Sequence, residues 1–247
     1  MKAIVPRYRL LKFKNKDGNL LLKMSACSLL RVRAIRLFTF LLFLFSTFEV
    51  SATLNNNDLL FKRIVNKYGI SAVVRVHQWQ RLIQTSRFLT EQQKLIRVNN
   101  FFNQRIKFVD DIYLWGKIDY WATPLELLVR GAGDCEDYSI AKYFTLLKMG
   151  VPERKIRITY VKALTLHQAH MIVIYASSPR AVPYILDNLD PIIKLATLRN
   201  DLLPVYSFNN SGLWLGKFVG TGKRVGDSTV ISLWVALNQR MNQFSVS

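Results

Sequence analysis

Apolar residues recur every three or four positions through the region from residue 58 to residue 107. The first turns of this pattern are formed by Leu59, Leu60, Ile64, Val65 and Tyr68. Apolar residues at this spacing share one face of an α-helix, so the pattern predicts that most of the region is helical. The stretch DYWATPLE, residues 119–126, then contains Pro124. Proline suits the first turn of a helix, which predicts a helix that starts at Leu125.

A further helix is predicted to begin at or just before Cys135 and to end near Gly150. Ile140, Phe144 and Leu147 form its apolar stripe, and a glycine commonly follows the last turn of a helix. After it the pattern changes to short strands with β-branched and aromatic residues. These strands are predicted at Lys155 to Val161, His170 to Tyr175 and Pro183 to Leu189, with further sheet from Leu203 onward. Helices followed by a sheet, with no internal repeat, predict an α+β fold.

The first 52 residues have the features of a secretory signal. Arg31, Arg33 and Arg36 precede an apolar run at residues 37–45, and Val50-Ser51-Ala52 follows it. Basic residues, a short apolar run and small residues in this order predict a signal peptide that is cleaved after Ala52. Residues 1–52 would then be an N-terminal preface and signal, with Met24 as a possible true start, and residues 53–247 a single domain. An uncleaved N-terminal anchor is the alternative.

Removing that segment changes both the charge and the cysteine content. The full chain has a net charge of +19, and from Thr53 onward 25 basic and 14 acidic residues leave 25 − 14 = +11. This charge fits an acidic partner or an anionic membrane surface. Nucleic acid is not an expected partner, because the basic residues are scattered and the protein is predicted to be exported. Cys27 is lost with the signal, so Cys135 remains alone and cannot form an internal disulfide.

The stretch GAGDCEDYSIAKY, residues 131–143, surrounds that one thiol with Asp134, Glu136 and Asp137. Acidic neighbours disfavour a thiolate, whereas the N-terminus of a helix favours it and offers a backbone N–H group to an oxyanion. Two interpretations are therefore open. Cys135 is either a nucleophile or a small buried residue behind Asp134, which would act as an ordinary N-cap.

A nucleophilic cysteine needs a histidine base and a group that orients the base. His77 lies in a polar helical region, where a surface or packing role is expected, and His167 is predicted in a connection. His170 begins a strand, and Asp187 ends the next strand. The alternative for these two residues is a core histidine beside a solvated aspartate.

We expect the two strands to form a hairpin that turns near Ser178-Pro179. This register pairs residues 174 with 183, 172 with 185, and 170 with 187. His170 and Asp187 would then be neighbours on one face of the sheet. The hairpin therefore predicts a base and its orienting carboxylate side by side.

Several stretches together resemble the bacterial transglutaminase-like cysteine peptidases, and within these the LapG-type periplasmic proteases. The resemblance covers Leu59 to Trp214, and it is carried by GDCEDYSIAKY, AHMIVIY, LDNL, DYWATPLE and PVYSFN. It implies a papain-like or transglutaminase-like core with N-terminal helices, in which the catalytic cysteine begins a helix that packs on an antiparallel sheet. It also implies a catalytic triad of Cys135, His170 and Asp187.

The same resemblance implies a calcium requirement, with Asp134 and Glu136 at the metal-binding positions. Asp137 stays open between a ligand, a cap and an acceptor behind the ligands. Calcium takes six to eight oxygen ligands, so backbone carbonyls, water or distant acids must contribute. The resemblance further implies a periplasmic location and a substrate that is a large cell-surface biofilm adhesin, cleaved near a pair of alanines. The regulator it implies is an inner-membrane receptor that senses cyclic di-GMP.

The sequence therefore predicts a secreted, calcium-dependent cysteine endopeptidase. The backbone N–H of Cys135 is the expected oxyanion donor, and Trp115 is a candidate side-chain donor that has a core role as its alternative. Two other functions remain. The same triad serves acyl transfer to an amine in a transglutaminase, and a calcium-loaded adaptor without catalysis would bind a membrane receptor.

Overall fold

The computed structural model describes residues 11–14, 20–23, 59–218 and 222–245. The chain divides into two compact units, Met1–Leu59 and Leu60–Ser247. In the first, β1 (Leu11–Lys14) and β2 (Leu20–Lys23) pair as an antiparallel hairpin, which the sequence analysis did not predict. The predicted apolar run, the cleavage site after Ala52 and the start at Met24 lie outside the described residues. Within the described part of the chain, no helix is both long and apolar enough to cross a membrane.

The second unit begins with three helices, as the apolar spacing predicted. They are α1 over residues 59–68, α2 (Ile70–Ser86) and α3 (Glu91–Arg105). The start of α3 is fixed by a capping box, in which the Thr90 hydroxyl accepts from the Gln93 N–H and the Gln93 side chain accepts from the Thr90 N–H. This motif pairs two backbone donors that a helix start otherwise leaves free.

Two short helices precede the candidate cysteine, and a longer helix begins at it. They are α4 (Asp111–Leu114), α5 (Pro124–Arg130) and α6 (Cys135–Lys148). The α5 helix starts one residue earlier than predicted, because Thr123 and Glu126 form a capping box with Pro124 just inside it. The α6 helix begins at Cys135, and Gly150, at φ +83°, follows its last turn as predicted.

The remainder of the second unit is built around a seven-stranded antiparallel sheet with the order β11-β10-β9-β5-β6-β7-β8. Its strands are β5 (Ile156–Ala163), β6 (Gln168–Tyr175), β7 (Tyr184–Leu186), β8 (Lys194–Leu195), β9 (Leu202–Asn209), β10 (Gly212–Leu215) and β11 (Lys223–Gly226). Two short strands, β3 (Lys107–Phe108) and β4 (Ala132–Gly133), pair in parallel just before α6. Single 3₁₀ turns occupy Glu153–Lys155, Ala196–Leu198 and Ser228–Val230.

The α6 helix is the centre of the core. Residues 136–146 are all buried, so the predicted stripe of Ile140, Phe144 and Leu147 was too narrow. The helix packs on β5 and β6 on one side and on α3 and α5 on the other. A smaller apolar cluster covers the opposite face of the sheet and includes Val161, Ile172, Ile174, Ile185 and Leu202. A helix covered on all sides buries even its polar positions, which periodicity does not reveal.

The prediction of further sheet from Leu203 onward is correct for β9 to β11 and wrong for the C-terminal end. Ser232–Ser245 is a helix, α7. Trp234 and Leu237 are buried, and Met241 packs against the core. These three residues have the i, i+3, i+7 spacing of one helix face. The Trp234 ring stacks on Phe144 at 5.5 Å, which holds α7 against α6.

The predicted register of the β6–β7 hairpin is wrong by two residues. Ile174 lies opposite Ile185, not residue 183, and Val173 lies opposite Leu186. The connection spans residues 176–183 because β7 begins only at Tyr184, and Pro183 before it has no N–H group to donate to a ladder. A shift of two residues keeps every side chain on the same face of the sheet, so the predicted neighbourhood of His170 and Asp187 survives the error.

Candidate active site

A cavity of 740 Å³ opens at the start of α6. Cys135 and His170 both line it, and Asp119, Asp134 and Glu136 form an acidic wall on one side. Its other walls are largely apolar or aromatic and include Phe108, Trp121, Tyr160, Tyr206 and Leu233. The two residues predicted as nucleophile and base therefore face one space.

Two glycines before Cys135 bring the thiol to this position. Gly131 ends α5 with φ +71°, and its N–H donates to the Leu127 carbonyl at 2.7 Å. At Gly133 a Cβ atom would lie 2.5 Å from Asp137 Oδ2 and 2.5 Å from Leu127 Cδ1. Real Cβ atoms do not approach other atoms so closely, so only glycine lets the chain pass between α5 and α6. The next turn of the chain is the first turn of α6.

The thiol of Cys135 is held in its protonated form. Its Sγ atom donates a hydrogen bond to Glu136 Oε2 at 3.2 Å. Burial raises the pKa of Cys135, and the negative charges of Glu136 and Asp134 raise it further. The acids around the thiol therefore do what the sequence analysis expected of them, and they suppress the thiolate while they carry their own charge.

The predicted base and its orienting carboxylate are in direct contact. His170 Nε2 lies 2.7 Å from Asp187 Oδ1, and both side chains are buried. The same oxygen accepts the N–H of Leu189 at 3.0 Å. Burial alone would raise the pKa of Asp187, but the hydrogen bonds from its partners lower it to about 2. Because Nε2 is committed to Asp187, Nδ1 is the nitrogen left to exchange a proton with a substrate or thiol.

Arg199 contacts Asp187 directly, and the sequence analysis missed it. Its Nη2 donates to Asp187 Oδ2 at 2.9 Å, and its Nε donates to Asp201 Oδ1 at 2.9 Å. The guanidinium is 5% exposed and so forms a buried ion pair with Asp187. Lys142, also buried, faces the same carboxylate. Burial lowers the pKa of Lys142 to about 7, although the charge of Asp187 opposes this.

Five carboxylates gather on the acidic side of the cavity. Asp111, Asp119 and Glu136 offer oxygens within 4.8 Å of one another, and so do Asp111, Asp134 and Asp137. Among the residues that the structure describes, three buried oxygens of the cluster have no hydrogen-bond partner, namely Asp111 Oδ1, Asp134 Oδ1 and Asp137 Oδ2. Buried polar atoms are nearly always paired, so unpaired oxygens in a group of neighbouring carboxylates fit a bound cation. The donor set is entirely oxygen, which fits calcium.

Crowding makes these carboxylates weak acids in the absence of a cation. Burial raises the pKa of Asp134 to about 9, with further contributions from Glu136 and Asp111. Burial likewise raises the pKa of Glu136 to about 7. The pKa of Asp137 is raised by burial first and then by Asp134. The cluster therefore holds protons at neutral pH that a cation would displace.

The geometry also separates the interpretations left open for Asp134 and Asp137. Asp134 occupies the N-cap position of α6, but its side chain accepts no capping hydrogen bond. Asp137 Oδ1 accepts the Ala122 N–H at 2.7 Å, and Asp137 offers a carboxylate oxygen within 4.8 Å of those of Asp111 and Asp134. Both residues thus belong to the acidic cluster. Asp111 was missed, and Asp119 was quoted only within DYWATPLE. The only signal for them was the need for further oxygen ligands.

The remaining sequence candidates lie away from the site. His167 is exposed in the turn before β6, with φ +54°, and His77 is exposed and stacks on Phe61 at 4.1 Å. Trp115 does not line the cavity and packs against Tyr120 and Arg130. Of the two roles considered for Trp115, oxyanion donor and packing residue, the packing role is therefore the better interpretation.

The structure thus brings Cys135, His170 and Asp187 to one region, with Asp134 and Glu136 beside the thiol. A family model described as bacterial transglutaminase-like cysteine proteinase matches residues 74–214. The chain belongs to this family. The match confirms the assignment made from GDCEDYSIAKY and its companion stretches, and the transglutaminase-like cysteine proteinase fold confirms the predicted α+β class.

Solved structures of the same family include LapG from Legionella pneumophila. That structure is 41% identical to this chain, covers 73% of this chain and 95% of its own, and has a TM-score of 0.64. Its calcium-bound form is also 41% identical to this chain. That match covers 73% of this chain and 97% of the LapG chain, with a TM-score of 0.63. The EGTA-treated form is 41% identical to this chain, the match covers 73% of this chain and 95% of the LapG chain, and the TM-score is 0.65. No curated protein matches the chain.

Proposed function

We propose that this transglutaminase-like cysteine proteinase is a calcium-dependent endopeptidase with a triad of Cys135, His170 and Asp187. The observation that carries the proposal is the buried pair of His170 and Asp187, whose Nε2 and Oδ1 atoms are 2.7 Å apart. His170 lines the same cavity as Cys135, the first residue of α6. A buried histidine with a fixed carboxylate partner beside a cysteine at a helix start is the arrangement that nucleophilic catalysis requires.

The chemistry proceeds from these atoms. His170 Nδ1 accepts the proton of Cys135, and the sulfur attacks the carbonyl carbon of the peptide bond. The carbonyl oxygen becomes negative and is stabilised by the backbone N–H of Cys135. The imidazolium returns its proton to the leaving amine, which breaks the C–N bond and leaves a thioester. Water, deprotonated by His170, then hydrolyses the thioester and frees the thiol.

Asp187 keeps the imidazole in one tautomer and orientation throughout, and it stabilises the imidazolium. Its pKa of about 2 means that it stays ionised at every pH at which the protein is expected to work. Arg199 and the N–H of Leu189 fix the carboxylate in turn. The orienting group is thus pre-formed in the fold.

A calcium ion would be held by Asp111, Asp134 and Glu136, together with Asp119 and Asp137. When bound, it supplies positive charge that offsets the carboxylates beside the thiol. Glu136, which accepts the hydrogen bond of the Cys135 thiol at 3.2 Å, would then serve as a calcium ligand, and the proton of the thiol would pass to His170. Support comes from the unpaired oxygens of the cluster and from the calcium-bound form of Legionella LapG.

The substrate and regulation in this proposal follow the resemblance. The substrate is a large surface adhesin cleaved near a pair of alanines, the protein works in the periplasm, and an inner-membrane receptor that senses cyclic di-GMP controls it. The small side chains of an Ala-Ala site suit a cavity whose walls already contain large aromatic residues such as Trp121, Tyr160 and Tyr206.

The test is incubation of the purified protein with candidate surface proteins, with calcium or with EGTA, followed by mapping of the cleavage site. We expect one cleavage near small residues that EGTA abolishes reversibly. Cys135→Ala and His170→Ala should lose all activity, while His167→Ala, three residues before the base and exposed, should keep it.

A second experiment adds a labelled amine to the same incubation. Amine incorporation without cleavage would replace the peptidase by a transglutaminase, and an active His170→Ala would refute the triad.

A further inference from the structure

A groove of 380 Å³ lies between α2 and α3, and three arginines line it. Arg81 belongs to α2, and Arg97 and Arg105 belong to α3. The other lining residues are amides, a threonine and apolar side chains, and none of them is acidic. A groove with three guanidinium groups and no carboxylate has a strongly positive potential.

The fold holds two of these guanidinium groups in place with uncharged partners. Arg105 Nε donates to Gln78 Oε1 at 2.8 Å, and Arg97 Nη1 donates to Ser86 Oγ at 3.2 Å. None of the three arginines forms an ion pair within the part of the chain that the structure describes. Their side chains are positioned, but their charge is not neutralised by the protein itself.

The helical layer around the groove has the same charge. Residues 59–107 contain one acid, Glu91. Its carboxylate forms an ion pair with Lys155 at 2.8 Å and accepts a hydrogen bond from the Tyr175 hydroxyl. The basic residues of this segment are Lys62, Arg63, Lys67, Arg75, Arg81, Arg87, Lys94, Arg97, Arg105 and Lys107. The acids of the catalytic cavity all come from later in the chain, so this charge belongs to the helices α1 to α3 and their connections.

An exposed apolar side chain lies in the turn that joins the two helices of the groove. Phe88 lies in the turn between α2 and α3 and is 95% exposed, and Thr85, three residues earlier, lines the groove. Its neighbour Arg87 is exposed as well. An exposed aromatic ring next to an exposed arginine, on a helix pair with three more arginines in its groove, has the composition of surfaces that bind at the boundary between lipid headgroups and acyl chains.

From these observations we infer that the α2–α3 hairpin is a docking surface for an anionic phospholipid membrane. Arg81, Arg97 and Arg105 take the headgroup phosphates, because a guanidinium matches the geometry of a phosphate oxygen pair. Phe88 enters the apolar boundary beneath the headgroups and loses its contact with water. This surface is separate from the catalytic cavity, and the inference does not depend on the proposed peptidase activity.

The experiment is co-sedimentation of the full chain with vesicles of phosphatidylcholine, alone or mixed with an equal part of phosphatidylglycerol. We expect binding to the anionic vesicles, with added salt weakening it. The combined variant Arg81→Gln, Arg97→Gln, Arg105→Gln should bind about 100-fold more weakly. The control variant Lys162→Gln, Arg180→Gln, Lys223→Gln removes the same charge from exposed positions elsewhere and should bind nearly as the wild type does.

A second variant tests the apolar half of the surface. Phe88→Ser changes a side chain that is 95% exposed, so folding should be unaffected, and we expect about 10-fold weaker vesicle binding. Equal losses in the two charge variants would show that only net charge matters and would overturn the inference, as would a wild type that does not bind. A labelled oligonucleotide that binds more tightly than the vesicles would identify nucleic acid as the phosphate source instead. Equal melting temperatures of the variants confirm that they fold.

Discussion

The thiol of Cys135 and the carboxylate of Asp187 lie in opposite electrostatic surroundings. Acids and burial raise the pKa of the thiol, whereas hydrogen-bond donors outweigh burial and lower that of Asp187 to about 2. Asp187 is therefore already ionised and in contact with His170 in the folded chain, whereas the Cys135 thiol is not activated. Burial is the largest cause of the raised thiol pKa, and Glu136, which accepts the hydrogen bond of the thiol at 3.2 Å, is the next.

Arg199→Met should lower kcat about 100-fold with little change in KM. Without the guanidinium, Asp187 Oδ2 loses its buried partner and the carboxylate can rotate away from His170, and small displacements of a catalytic group cost this much. Arg199→Lys should restore part of the rate. The proton shared by His170 and Asp187 gives a downfield NMR signal in such pairs, and it should weaken in Arg199→Met.

Asp201→Asn is the control, because Asp201 contacts the same guanidinium from a 36% exposed position. It should leave both kcat and the downfield signal nearly unchanged. A purely structural role for Arg199 would instead lower stability in both variants of Arg199 and leave the NMR signal and the kcat of the folded protein intact.

Asp134→Asn should weaken calcium binding and activity together. Asparagine keeps the size and a capping oxygen but removes the charge, and the structure shows no capping hydrogen bond from Asp134 that could be preserved. Calorimetric titration with calcium measures the affinity directly. Mg²⁺ should substitute poorly because it demands a tighter, more regular set of oxygens. A variant with wild-type affinity would remove Asp134 from the ligand set.

At the scale of elements, the placement of the thiol depends on the tight passage between α5 and α6. Gly133→Ala would push a Cβ atom to 2.5 Å from Asp137 Oδ2 and from Leu127 Cδ1. We expect a loss of about 1–3 kcal/mol in the free energy of unfolding from this overpacking. Calcium affinity should also fall, because Asp137 belongs to the acidic cluster.

Gly226→Ala is the matched control for that substitution. Nothing lies within 4 Å of a Cβ atom at Gly226, and its φ is not positive. Its effect on the free energy of unfolding, measured by urea titration, should stay within about 0.5 kcal/mol. Equal effects of the two substitutions would contradict the importance of the passage.

The sequence predicted elements better than it predicted how they meet. The start of α6 at Cys135 and the shared face of His170 and Asp187 followed from turn chemistry and from the two-residue period of strands. The register itself was wrong, because strand periodicity does not fix the length of a connection. The helix Ser232–Ser245 was predictable from its apolar spacing but was interpreted as sheet.

The missed site residues have a different cause. Asp111 reaches the cluster from α4, and Arg199 reaches Asp187 from the connection before β9. Each contacts residues that are twelve or more positions away in the sequence. Local spacing contains no information about such contacts, whereas the residues next to Cys135 are fixed by the helix that begins there.

At the scale of the whole molecule, the charges are strongly segregated. The helices α1 to α3 are almost free of acids, while the cavity at the start of α6 collects five carboxylates. In the proposed arrangement the helices bind an anionic membrane surface, whereas the cavity binds a cation and a peptide. The net charge of +19 hides this division because it averages over both regions.

The acidic cluster should make stability depend on pH in a direction opposite to that of most acids. The pKa values of Asp134, about 9, and Glu136, about 7, are raised above their ordinary range, and so is that of Asp137. Between about pH 4 and pH 9 these carboxyl groups therefore bind more protons in the folded protein without calcium than in the unfolded chain, so their contribution to the free energy of unfolding falls as the pH rises. Lys142, whose pKa burial lowers to about 7, contributes with the opposite sign above that pH. Asp187 acts in the opposite sense, but its contribution changes only below about pH 4.

Calcium competes with those protons, so its stabilising effect should grow as the pH rises. Thermal unfolding at about pH 5.5, 7 and 8.5, in EGTA and in excess calcium, measures this as a gap between two melting temperatures. We expect the gap to widen at each step, with the EGTA curve falling and the calcium curve nearly level. Asp111→Asn removes a carboxylate common to both groups of potential ligands and should narrow the gap at every pH. A gap that is constant or shrinks toward high pH would mean that protons and calcium do not share these oxygens.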